Sequence, residues 1–128
     1  MGYYIARTVN GSFDRTVSEV VEALKREGFG VLTDIDVAAT MKQKLGVDFR
    51  PYRILGACNP ALAHRALAAE DKIGVMLPCN VIVQDAGSGR LEVAAIDPEA
   101  GMERVGNAEL GTIAREVSGK LRRALDSL

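Results

Sequence analysis

Residues 73–96 read IGVMLPCNVIVQDAGSGRLEVAAI, in which two apolar runs, Ile73 to Gln84 and Arg90 to Ile96, flank the turn residues Ala86-Gly87-Ser88-Gly89. Glycine-rich turn chemistry between two β-rich runs predicts a hairpin. A tight hairpin makes its strands antiparallel, and the partial alternation of apolar and polar residues fits a sheet with two different environments. The expectation is therefore an α+β domain with a curved, mostly antiparallel sheet and its long helices packed on one face. The apolar content of Val75, Leu77, Val81, Val83, Leu91 and Val93 predicts that the other face is also covered, and a homodimer is one way to cover it.

Upstream of the hairpin, strands and helices alternate. Tyr3 to Val9 carries β-type residues and stops at Asn10-Gly11. Thr16 and Glu19 form a T-x-x-E capping box for a helix with Val17, Val20, Val21 and Leu24 at helical spacing, ended by Gly28. Phe29 to Ile35 reads as a second strand. Asp36 then caps a short helix with Val37, Met41 and Leu45 on one face, and Gly46 stops it. Arg50 to Ala57 is a third strand, followed by Asn59-Pro60, a cap with proline at the first helical position, and a helix to about Glu70. Downstream, Asp97-Pro98 ends the fifth strand in a turn, and Asn107 caps a last helix with the stripe Leu110, Ile113, Val117, Leu121, Leu125 and Leu128.

Nothing marks a domain boundary, so residues 1–128 are expected to form a single domain. The chain has 16 Lys plus Arg against 17 Asp plus Glu and a formal net charge of −1. A chain this balanced carries no footprint for nucleic acid, and it would acquire one only if Arg50, Arg53, Arg65 and Arg104 converged in the fold. No apolar run approaches the ~20 residues of a membrane span, and no secretory leader is evident, so a cytoplasmic protein is expected.

The two cysteines are the chemically suggestive entries, and each precedes an asparagine: Cys58-Asn59 at a strand-to-helix junction and Cys79-Asn80 beside Pro78. A thiol just ahead of a helix meets free backbone N–H groups and a partial positive charge, which favour thiolate. Pro78 removes a ladder donor, which predicts an edge or a bulge that could aim Cys79 at Cys58. Burial as small apolar side chains explains both cysteines equally well. Asn59 is accounted for as a cap, whereas the amide of Asn80 in an apolar strand needs a partner. His64, the single histidine, lies about 120° round a helix from Cys58 and is expected on the solvent side.

The span from Glu27 to Val105 closely resembles the domain-of-unknown-function family 302. The motifs that carry the likeness are Gly28-Phe29-Gly30-Val31, Pro51-Tyr52-Arg53-Ile54-Leu55-Gly56-Ala57-Cys58-Asn59-Pro60, Leu77-Pro78-Cys79-Asn80-Val81 and Asp97-Pro98. The resemblance implies a β-α-β(4)-α fold like that of the TATA-binding protein, a homodimer, and a shared site at Cys58, Asn59, Cys79 and Asn80, with Tyr52 and Asp97 in its motifs. It implies no activity. Three functions follow as expectations. The first is a binding or sensing module that takes a small ligand or a soft metal ion, Cu(I) or zinc, at Cys58 and Cys79 with help from Asn59 and Asn80. The second is a thiol enzyme or redox partner with Cys58 as nucleophile and Cys79 as resolving thiol. The third is a purely structural dimer module.

Overall fold

The computed structural model describes residues 2–128. Five strands, β1 (Tyr4–Asn10), β2 (Gly30–Asp36), β3 (Tyr52–Cys58), β4 (Cys79–Gly87) and β5 (Arg90–Ile96), form one open sheet in the order β1-β5-β4-β3-β2. All four pairings are antiparallel. β2 to β5 follow one another across the sheet, and β1 joins outside β5. Helix α1 (Phe13–Arg26) therefore carries the chain from one edge of the sheet to the other. Helices α2 (Val37–Leu45), α3 (Pro60–Ala69), α4 (Pro98–Met102) and α5 (Ala108–Asp126) complete the chain.

Strand alternation decides which face is covered. Leu55, Val81, Val83 and Val93 are fully buried and pack with Val20 and Leu24 of α1, Leu62 and Ala66 of α3, and Leu110, Ile113 and Leu121 of α5. Each such large side chain withdrawn from water contributes roughly 1.5–3 kcal/mol. This corrects the expectation for the second face: Val81, Val83, Leu91 and Val93 all point into the helix-side core, so they are no argument for a second cover. Val75 is exposed and Leu77 half-buried. The residues that do face away from the helices are the alternate ones, among them Ile54, Ile82, Ala94 and Tyr4.

Several local expectations hold. Asp36 caps α2 by accepting from Ala39 N at 2.9 Å, Gly46 closes it, Asn59 caps α3 ahead of Pro60, and Asn107 caps α5. Others are displaced. Ser12, not Thr16, is the cap of α1, accepting from Arg15 N; Thr16 lies inside the helix and is buried. The run Ile73 to Gln84 is not one strand: Asp71–Met76 is a 3-10 segment and β4 starts only at Cys79. Gly74, Pro78 and one fully buried Ile73 explain this, because an apolar run without alternation fixes burial but not period. Pro78 thus precedes the strand, and the ladder irregularities fall at Leu32 and Ala86 instead. Helix α2 buries none of its residues, leaving Leu45 exposed. Asp97-Pro98 opens α4 rather than a simple turn, with Pro98 and Met102 buried.

Candidate functional site

Cys58 is the last residue of β3 and Cys79 the first of β4. Cys79 pairs across the ladder with Ala57, the residue before Cys58. Antiparallel neighbours pass within about 5 Å of one another, so the register brings the two cysteines to the same end of the sheet. There they line one small cavity together with Asn59. Phe29, Leu62, Ala66, Met102, Ile113 and Val117 supply the apolar remainder of its wall. The cavity volume is about 40 Å³. One water-sized sphere needs ~10–15 Å³, whereas drug-sized ligands occupy sites of ~300 Å³ and more. The space is on the scale of an ion or a few atoms.

Two glycines make this corner possible. Gly28 has φ +86°, and a Cβ there would sit 2.9 Å from Nδ2 of Asn59. The bare backbone therefore lets the Asn59 carboxamide approach the chain just past α1 while its Oδ1 accepts from Leu62 N at 3.2 Å. Gly56 lies under Thr33 and Pro78; a Cβ would meet Thr33 Oγ1 and come within 2.8 Å of Pro78 Cγ. The proline that leads into Cys79 is thus seated on β3 where only a glycine leaves room.

The two sulfurs have unequal surroundings. Cys58 is half-buried, while Cys79 is buried, 7% exposed. Burial, with a smaller contribution from neighbouring Cys58, pushes the Cys79 thiol up to about 11, so near neutral pH it is a protonated thiol. No group of three or more His, Cys, Asp or Glu side chains suited to a metal occurs among the described residues. One chain therefore cannot complete a tetrahedral zinc set, which needs four ligands or three and water.

The other residues singled out from the sequence go elsewhere. Asn80, one position past Cys79, alternates to the opposite face of β4 and is exposed. Tyr52 shares that face: both line a shallow hollow of about 410 Å³ with Tyr3, Tyr4, Gln84 and Glu92. Tyr52 also packs edge-on to Phe49, and the Arg50 guanidinium lies 5.6 Å from its ring. Asp97 is a structural anchor. It caps α4 through Glu99 N at 3.1 Å and receives Ser118 Oγ at 3.3 Å and Arg122 at 3.4 Å from α5. His64 is exposed on α3. Arg50 bonds Gln84, Arg53 pairs with Asp34, and Arg65 pairs with Glu116. The cavity's apolar wall carried no signal in the sequence, because Leu62 or Ile113 at helical spacing looks like any core residue. Gln84 and Glu92 were legible as the polar members of alternating strands, though nothing local said that their face is open.

An open five-stranded antiparallel sheet, with helices on one side and a thiol-lined cavity at one end of that layer, defines a small α+β domain. By its sequence the chain belongs to the family Domain of unknown function DUF302, whose model matches residues 5–128. Among solved structures it is similar to the crystal structure of an uncharacterized conserved protein DUF302 from Bacillus stearothermophilus. The two are 30% identical over 97% of this chain and 96% of that one, with a TM-score of 0.89. No curated protein matches the chain. No helix among the described residues is long and apolar enough to cross a membrane.

Proposed function

We propose that this domain binds a single soft metal ion between Cys58 and Cys79, as a carrier or sensor of Cu(I)-like ions. The observation that supports it is that both cysteines line one small, largely apolar cavity of about 40 Å³. Thiolates select soft, low-charge ions. Two sulfur ligands in a largely apolar pocket suit an ion that accepts linear coordination, which Cu(I) does and zinc does not. Asn59 stiffens the Cys58 end through its cap bond, and Pro78 stiffens the Cys79 end. Asn80 has no part in this site. A metal-bound thiol is deprotonated outright, so loading must expel the Cys79 proton.

The thiol-enzyme reading draws less support. A resolving thiol must attack as thiolate, and Cys79 is held in the protonated form inside an apolar wall. Anaerobic titration of the reduced protein with Cu(I) against a colorimetric chelator tests the ion reading. One ion per chain is expected, lost in the Cys58→Ser, Cys79→Ser double variant. Binding that survives in the double variant rejects it.

A further inference from the structure

Among the side chains that line the cysteine cavity, Met102 carries the one sulfur besides those of Cys58 and Cys79. It is buried, 5% exposed, at the end of α4. Met76 is the more exposed of its neighbours: it ends the 3-10 segment, is half-buried, and immediately precedes Leu77 of the cavity wall. Its side chain also reaches α4, where a Cβ on Gly101 would come within 2.9 Å of Met76 Cε. Gly101 adjoins Met102, so two of the four methionines in the chain converge on the thiol corner. We propose that Met76 and then Met102 form the entry route for the ion, each holding Cu(I) in passing before Cys58 and Cys79 take it. This rests on the ion reading above and adds how the ion reaches its site.

The chemistry asks for such a step. An ion that leaves water for an apolar wall gives up its water ligands, and a bare charge in that medium is costly. A neutral ligand along the path offsets the loss. Thioether sulfur is soft and suits Cu(I), and it bears no proton, so it takes and yields the ion without acid–base exchange. The unbranched methionine side chain, with three rotatable bonds, lets the sulfur swing between positions. Leucine would fill the same space and offer no ligand. At the end of the path Cu(I) and two thiols become a bis-thiolate complex of charge −1, and two protons pass to water. Copper stays Cu(I) throughout, and both thioethers are left free.

The backbone on this route is held while the side chains stay adaptable. Asp97 fixes the start of α4 by accepting from Glu99 N at 3.1 Å, Ser118 Oγ at 3.3 Å and Arg122 at 3.4 Å. Pro98 is buried beside it. Met102 therefore hangs from an anchored helix of five residues. His64 is exposed on α3 and does not line the cavity, which leaves the route to sulfur.

Stopped-flow transfer tests the route. Cu(I) passes anaerobically from a coloured chelate to excess reduced full chain, under conditions where the rate depends on protein concentration, and returns from loaded protein to excess chelator. Met102→Leu and Met76→Leu, swaps that nearly conserve volume, should each slow both directions by about tenfold, or ~1.4 kcal/mol on the barrier. One ion per chain and an unchanged dissociation constant are expected, because a ligand used only in passing lowers the barrier from both sides. Far-UV circular dichroism confirms folding, and Met76→Leu carries the test if Met102→Leu does not fold. Met41→Leu, on α2 beyond the opposite end of β2, should load like the wild type. Wild-type rates in either route variant, or equal slowing in Met41→Leu, overturn the proposal and leave the ion reading standing. A weakened dissociation constant also overturns it, since that marks a resident ligand or a packing residue. A wild-type chain that takes up no copper overturns the ion reading and the route together.

Discussion

Cys58 and Cys79 share a cavity because β3 ends on one and β4 begins on the other, with Ala57 and Cys79 in register. The two are distant in sequence, and only the β3–β4 ladder joins them. The consequences of that pairing, and of the packing that holds it, can be measured.

The raised Cys79 thiol predicts how stability depends on alkaline pH. Its folded value of about 11 lies above the 9.0 of a thiol in the unfolded chain. The folded state therefore holds the proton more tightly than the unfolded chain does, and this contribution is complete below pH 9. It fades as pH rises through 11, a loss of order 2–3 kcal/mol. Denaturant melts from pH 8 to 11 should show this decline, and it should shrink in Cys79→Ala. An identical pH profile in that variant contradicts the assignment.

Alkylation provides a second view of the same thiol. At pH 8 about one Cys79 in a thousand is thiolate, given a value of about 11. Under native conditions mass spectrometry should find Cys79 unmodified by iodoacetamide while half-buried Cys58 reacts. Equal labelling of the two would show that Cys79 is open to solvent.

Gly28 is predicted to be irreplaceable. Gly28→Ala meets both a φ of +86° and an approach of 2.9 Å to the Asn59 carboxamide. The cost should be about 1–3 kcal/mol, from strain plus displacement of a cap. If Gly28→Ala melts with the wild type, the close approach is not structural. Combining it with Asn59→Ala should cost less than the sum of the single losses, because the two share one contact.

Much of this architecture is legible in local chemistry. Asp36, Asn59-Pro60 and Asn107 announce helix starts, because a cap needs only its own next turn, and the hairpin follows from Gly87-Ser88-Gly89. What depends on pairing is not legible. Whether Val81 or Ile82 faces the helices is set by register and by which side α1 and α5 take, and strand alternation is silent on both. The same limit divided the expected site. Cys79 and Asn80 are neighbours in sequence, yet successive strand residues project to opposite faces. The adjacency that made Cys-Asn look like one unit is what separates the two side chains in space. The long-range bonds of Asp97 were not legible, because its partners, Ser118 and Arg122, come from a helix that packs on it only in the folded chain.

The Arg53–Asp34 pair supplies an acid-side prediction. Two bonds of 2.7 and 2.6 Å join the guanidinium to the carboxylate, and chiefly that hydrogen bonding holds Asp34 below its usual range. A depressed carboxyl stabilises the fold above its unfolded value near 3.8 and loses the contribution as pH falls through the folded value. The Asp34 side chain is 40% exposed, so solvent screening limits the effect to about 1 kcal/mol. Asp34→Asn should lower stability by that amount at pH 7 and bring it close to wild type near pH 2. A deficit that persists undiminished at pH 2 would point to lost packing instead.

Loading the reduced protein with one equivalent of Cu(I) and recording X-ray absorption at the copper edge examines the cavity most directly. Two sulfur neighbours in a linear arrangement, and no nitrogen, are predicted, with the signal abolished in the Cys58→Ser, Cys79→Ser variant. Copper found with nitrogen ligands, with three or more neighbours, or bound equally well without the two cysteines would contradict the account.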